Sequence, residues 1–187
     1  MKKLLTILFI SLLIVGCSCS NNNPDANPDA PGNNQESGNN DPGTVGMPNP
    51  MHESSAEEFK KYGYEAALDE NASDVAYTLI YSSATEEKLA DIVYSLDGVD
   101  YRYRMQFTEG DAGDIAGDYT TYSKNEDVDV NGYSGHVHYN KDGAGYITWF
   151  DKNVGVDYSL SMSTKASAEN LLAAAKLVFI PMPKDYK

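Results

Sequence analysis

Between residues 101 and 107 every second side chain is large and apolar. Tyr101, Tyr103, Met105 and Phe107 alternate with Arg102, Arg104 and Gln106. A period of two places these sets on opposite faces of an extended strand, so the stretch calls for a sheet with one dry and one polar face. The pattern returns at 156–162, where Val156, Tyr158, Leu160 and Met162 alternate with Asp157, Ser159 and Ser161. Turn chemistry supplies the connections. Asp97-Gly98-Val99-Asp100 separates apolar runs at 91–96 and 101–107, and Asn131-Gly132 separates 127–130 from 133–139. Both read as hairpins, because Asn-Gly and Asp-Gly tolerate the positive φ that tight hairpin turns require. Residues 144–150 and 154–162 make another antiparallel pair, and the β-branched and aromatic stretch 75–81 makes a further strand. Residues 109–118, rich in Gly and Asp, read as a loop.

Helix signals bracket these strands. Ser54-Ser55-Ala56-Glu57-Glu58 holds two overlapping Ser-x-x-Glu pairs, a capping-box pattern, and Gly63 offers a stop. Ser167 is placed as the N-cap of a second helix running to about Phe179. Its apolar face is Leu171, Leu172, Ala175, Val178 and Phe179, and Pro181 closes it. The expected fold is therefore α+β: one mostly antiparallel sheet of six or seven strands, with an N-terminal and a C-terminal helix packed on one face.

The first fifty residues are of other material. Lys2 and Lys3 precede a 12-residue apolar run at 4–15, short for a bilayer span and right for a signal-peptide core. The run ends in Ile14-Val15-Gly16-Cys17. This resembles the bacterial lipobox, and the resemblance implies cleavage after Gly16 and lipidation of the Cys17 thiol. Cysteine suits the step because its thiolate is a strong nucleophile. Two acyl chains suit the anchor, because one holds only marginally at about 0.8 kcal/mol per buried methylene. Residues 1–16 are read as a lipoprotein signal peptide and 17–50 as the lipidated cysteine and a tether. Asn, Pro, Gly and Asp dominate the tether, which contains a tandem Asn-Pro-Asp-Ala and no aromatic residue. Such a composition cannot bury enough to offset its chain entropy, so a disordered spacer is expected. Its r.m.s. span would be roughly 30 Å.

Residues 51–187 form the expected acidic α+β domain. They hold twelve of the fourteen Lys and Arg and twenty-four of the twenty-eight Asp and Glu, a net charge of −12. That balance argues against nucleic acid, whose phosphates are bound by displacing counterions with cations. Neither cysteine lies in this region, so no disulfide or thiolate metal site is expected within it. Cys19 is read as a bystander.

Several pieces together look familiar. They are Asn49-Pro50-Met51 before the first helix and Asp97-Gly98 followed by Tyr101-Arg102-Tyr103-Arg104. Also included are Asp114-Ile115-Ala116-Gly117, Trp149-Phe150-Asp151, Tyr158-Ser159-Leu160 and the closing helix at 171–178. The arrangement resembles small bacterial lipoproteins carrying a module of the "domain of unknown function 4367" kind. The resemblance implies fold and location, and carries over no catalytic residue.

No sequence pattern marks a reaction. Asp127-Val128-Asp129-Val130-Asn131-Gly132 matches the first half of a calcium loop, but His138 stands where the bidentate Glu belongs. Asp127 and Asp129 read more simply as the polar face of a strand. His136 and His138 share one strand face, a spacing that can chelate zinc or copper. A third ligand would come from Asp127, Asp129 or His52, and the simpler reading is a solvent-facing pair. Gly132-Tyr133-Ser134-Gly135 is one residue short of a nucleophile elbow. No catalytic residue is assigned, no enzyme activity and no cofactor are expected, and metal ligation is not assigned. Fourteen tyrosines are a large allotment, and tyrosine favours interfaces. Tyr101, Tyr103, Arg102, Arg104 and Trp149 are accordingly the candidate binding residues, with the two arginines either paired to local carboxylates or facing an anionic partner. The expectation is a non-enzymatic binding or interaction module on the extracytoplasmic face of the cell membrane, anchored through Cys17, with an envelope protein or polymer as partner. The alternatives are a ligand- or metal-binding domain around His136 and His138, or a hydrolase of envelope polymers.

Overall fold

Seven strands foreseen in the sequence form, and an eighth joins them at one edge. A computed structural model describes residues 50–81, 88–108, 110, 112–184 and 186. The signal-peptide, lipobox and tether assignments, Cys17 included, lie outside the described residues. In chain order the elements are β1 (Met51–Glu53), α1 (Ala56–Lys60), β2 (Ser73–Tyr81), β3 (Lys88–Leu96), β4 (Val99–Phe107), β5 (Lys124–Val130), β6 (Tyr133–Tyr139), β7 (Gly145–Asp151), β8 (Val156–Met162) and α2 (Ala168–Val178). The architecture is α+β with one antiparallel sheet in the order β1-β2-β3-β4-β8-β7-β6-β5. The sheet thus has eight strands rather than six or seven. β1 escaped sequence reading because it is three residues long and wholly exposed, so it carries no alternation to detect.

Most neighbours in this order are also neighbours in sequence, as antiparallel hairpins allow. The exception is the connection from β4, in the middle of the sheet, to β5 at its edge. Two hairpins turn as their residues dictate. Asp97 and Gly98 have φ of 52° and 73°, and Asn131 and Gly132 have 56° and 94°. Paired positive φ values are what a two-residue turn between right-twisted strands demands.

Cross-strand register fixes which side chains share a face. Tyr77, Ile92, Tyr103, Leu160, Ile147 and Val137 lie in one row across β2, β3, β4, β8, β7 and β6. This is the dry face, and its core residues are fully buried. Tyr103, Trp149 and Tyr158 stack over its middle, with Trp149 and Tyr158 rings 5.4 Å apart and nearly parallel at 6°. Phe179, just past α2, meets both rings edge-on at 5.5 and 5.0 Å. Burying Phe179 contributes about 1.5–3 kcal/mol, whereas Tyr103 Oη and Trp149 Nε1 are buried without a hydrogen-bond partner among the described residues, which offsets part of what their rings gain.

The helices are short and cover that face in part. α2 is capped as its sequence predicts, the Ser167 side chain accepting from the Asn170 amide at 3.1 Å. It sits against β5 to β8 and buries Leu171, Ala175 and Val178. α1 is only five residues long. Ser55 accepts from the Glu58 amide at 3.2 Å, and Phe59 is delivered edge-on to Tyr77 at 5.3 Å.

Candidate functional site

The second face of the sheet carries the polar partners of the same strands. Asp91, Arg102, Arg104, Asp157 and Ser159 stand there, each one residue removed from a core position. Three of the five are almost completely buried: Asp91 at 3% exposure, Asp157 at 1% and Ser159 at 1%. Their cover is the connection from β4 to β5, which the sequence marked only as a Gly/Asp-rich loop. Arg104 donates through Nε to Asp91 at 2.9 Å, and through Nη1 to the carbonyls of Ile115 and Ala116 at 3.1 and 2.8 Å. Arg102 reaches the same Asp91 oxygen at 3.3 Å. Gly117, with φ of 65°, lies so near the Arg104 guanidinium that any Cβ there would collide with it. Further along, Asp157 accepts from the Thr108 hydroxyl at 2.6 Å and from the Gly113 amide at 3.0 Å. A buried carboxylate is tolerable only when hydrogen-bonded or paired. Asp157 ties the loop to the sheet directly, and Arg104, held by Asp91, ties it at a second point.

Tyrosines extend this layer outward. Tyr146 donates to Asp114 at 3.2 Å, Tyr122 donates to Asp118, and the two rings meet edge-on at 5.5 Å. Burial pushes both phenols up to about 12, aided by the carboxylate each one serves. Asp118 feels burial, which raises it. Hydrogen bonds from Tyr122 and Thr120 outweigh that and hold it below the usual carboxylate range.

The two histidines of β6 share this face, as their spacing requires. His136 Nδ1 lies 2.7 Å from Asp127 Oδ1, and His138 Nδ1 lies 2.6 Å from Asn125 Oδ1. Each imidazole is therefore engaged with its own neighbour on β5. His138 also stacks on Tyr146 at 4.7 Å. Asp129 instead accepts the Gly132 amide at 2.8 Å and closes the Asn-Gly turn. His52 is on β1 at the opposite edge and on the dry face, against Tyr81 at 4.8 Å, so it cannot join the pair. Among the described residues no group of three or more His, Cys, Asp or Glu side chains converges as a metal site. The Asp127–Gly132 stretch is strand and hairpin turn, the simpler of its two readings.

The five candidate binding residues are divided among three environments. Tyr103 and Trp149 are core side chains. Arg102 and Arg104 are the guanidinium partners of Asp91, and Arg102 keeps 47% of its side chain in solvent. Tyr101 reaches an open apolar recess. It stacks on Tyr94 at 5.1 Å and 11°, and together they wall a groove of about 540 Å³ between the β3–β4 end of the sheet and α2. Leu68, Leu96, Val99 and Met162 line it further. Polar groups from Asp69, Asp97, Lys165 and Asn170 border it, and Leu177 stands on its rim at 71% exposure. Burial raises the Tyr94 phenol well above its ordinary value, and the neighbouring Tyr101 adds to this. Tyr101 is raised by burial and by Asp97. Sequence reading missed Tyr94 and Leu177. Tyr94 sits in register with Tyr101 and was detectable as its cross-strand partner, whereas Leu177 lies outside the apolar stripe that α2 turns to the sheet.

Comparison with protein-family models, with curated proteins and with solved structures found no match. Among the described residues no helix is long and apolar enough to cross a membrane.

Proposed function

We propose that the chain is a lipoprotein held on the extracytoplasmic face of the cell membrane through Cys17, and that its acidic domain is a non-catalytic interaction module. Its partner is an envelope protein that inserts an apolar side chain into the groove beside α2. The observation that carries this reading is the groove itself. A recess lined by Tyr101, Tyr94, Leu68 and Leu96, with charged groups only at its border and an exposed leucine on its rim, has the make-up of a protein-binding hot spot. The domain charge of −12 favours a partner with a basic surface around that anchor. The lipobox resemblance, the Lys-flanked apolar leader and the polar spacer support the anchoring half of the reading.

The two halves are tested separately. Cys17→Ala should move the protein from the membrane fraction to the soluble fraction, and retention in the membrane would refute anchoring. A photo-crosslinking residue at Leu177 in intact cells should give one discrete adduct, whereas the same residue at Tyr119, 99% exposed and outside the groove lining, should not. Equal labelling from both positions, or none from Leu177, would refute the interaction surface.

A further inference from the structure

The polar face holds a second recess, separate in lining from the groove. About 620 Å³ of space opens between the Gly113 side of the β4–β5 connection, the β5–β6 turn and the β7–β8 turn. Asp157, Ser134, His136, Thr148, Phe150 and Lys152 are among its walls. The decisive group is Asp157. Three carboxylates are buried to 3% exposure or less, and they differ in company. Asp91 has two guanidinium groups. Asp151 accepts from the amide and side chain of Asn153, at 2.9 and 3.1 Å, and so caps its own turn. Asp157 has a hydroxyl and one amide, no cationic partner among the described residues, and a cavity beside it. Its oxygens are hydrogen-bonded but its charge has no counterion, which a cation entering from the cavity would supply. Around it, Ser134, Thr148, His136 and Asn153 offer hydroxyl, imidazole and amide groups, and Phe150 offers a flat apolar surface.

We propose that this cavity binds a polyhydroxylated primary amine, an amino sugar by chemical class, with its ammonium on the Asp157 carboxylate. The hydroxyl groups pair with the polar wall, and the ring lies against Phe150. Lys152, which is exposed and makes no ion pair with Asp157, opposes the ligand's charge from the rim.

The test uses the full chain in detergent, with glucosamine as probe and glucose as control. Isothermal titration calorimetry reads the binding. Glucosamine should give a saturable change and glucose none. Asp157→Asn keeps an oxygen for Thr108 and Gly113 but loses the charge. It should weaken glucosamine at least about tenfold while leaving the thermal midpoint within a few degrees of the parent. Lys152→Ala, on the surface and outside the Asp157 hydrogen bonds, should bind as tightly or more tightly. The proposal is overturned if glucosamine gives no saturable change, if glucose matches it, or if Lys152→Ala abolishes binding, since the last result would mark an anion site. Should Asp157→Asn unfold, Lys152→Ala and the glucose control still decide the matter.

Discussion

On one face of the sheet Tyr103, Tyr158 and Leu160 lie among hydrocarbon and aromatic rings near α2 and Phe179. One residue along the same strands, Arg104, Asp157 and Ser159 point the other way, toward the β4–β5 connection. Both sets are buried, but different forces hold them. The first is stabilised by removal of apolar area from water, which is non-directional and tolerant of reshaping. The second depends on donors and acceptors meeting at 2.6 to 3.3 Å, and each loses its value if one partner is missing. A sheet whose second face is simply wetted needs no such matching. Here the connection turns the nominally polar face into a second, ionic interior.

The largest effect that separates the two faces comes from their centres. Leu160→Ala should cost about 2–5 kcal/mol through the lost transfer energy and the cavity left behind. Asp91→Ala should cost about 3–5 kcal/mol, because it strands the mostly buried Arg104 guanidinium without its carboxylate. Rescue tells the two apart. Replacing Asp91 and Arg104 together by Leu and Met should recover part of the loss in a denaturant melt, since an apolar pair removes both charges, while the Ile115 and Ala116 carbonyls still lose their donor. If the double variant is as unstable as Asp91→Ala, the ionic account of this face is wrong.

Alkaline titration probes both faces at once. Tyr122 and Tyr146 on the polar side, raised to about 12, and Tyr94 and Tyr158 on the dry side, raised further, keep their protons in the folded state. A folded pKa above the unfolded one means a contribution complete below the unfolded value near 10 and lost as pH rises through the folded value. Stability should therefore decline from pH 10 upward, with the phenolate absorbance of these residues appearing together with unfolding. At the acid end the lowered Asp118 contributes above the ordinary carboxylate pKa, and this is lost as pH falls through its folded value. Independent, early ionisation of these four tyrosines would contradict the packing described for them.

The dry face was largely legible in the sequence, and the ionic face was not. Alternation at Tyr101–Phe107 and Val156–Met162 gave strands, faces and core together, and Asp97-Gly98 and Asn131-Gly132 gave the turns. Periodicity says only that Arg104 and Asp157 point away from the core, so they looked solvated. Their burial arises from a connection that returns across the sheet. Its anchoring contacts join residues 11 to 49 positions apart in the chain, which no local pattern encodes. The same reason split the candidate binding residues. Tyr101 and Tyr103 share a face and a strand, yet only Tyr103 lies at the centre of the core, whereas Tyr101 lies at the end, where the groove opens. Arg102 and Arg104 share the other face, and only Arg104 reaches the loop.

That last pair gives a finer comparison within the ionic face. Arg102→Ala removes a guanidinium that is half in water and sits 3.3 Å from an oxygen already served by Arg104. It should cost under about 1 kcal/mol, as exposed ion pairs do. Arg104→Ala additionally releases two backbone carbonyls and should cost several times more. Equal losses in urea melts would mean that the loop is not held by Arg104.

The smallest expected effect sharpens the dry face, where its cover stops short. Leu171 and Leu177 are both leucines of α2, but Leu171 is buried against the sheet and Leu177 is 71% exposed at the groove. Leu171→Ala should therefore cost about 2–5 kcal/mol. Leu177→Asp should change stability by no more than about 0.5 kcal/mol, because little apolar area is buried there to lose. The exposed leucine buries little apolar area in the folded monomer. If the variant's thermal midpoint is unchanged while crosslinking from a probe at Ala173, also in the groove lining, disappears, the residue serves a contact outside the chain. If instead Leu177→Asp unfolds the domain as readily as Leu171→Ala, then α2 is covered on both sides and the groove is part of the core.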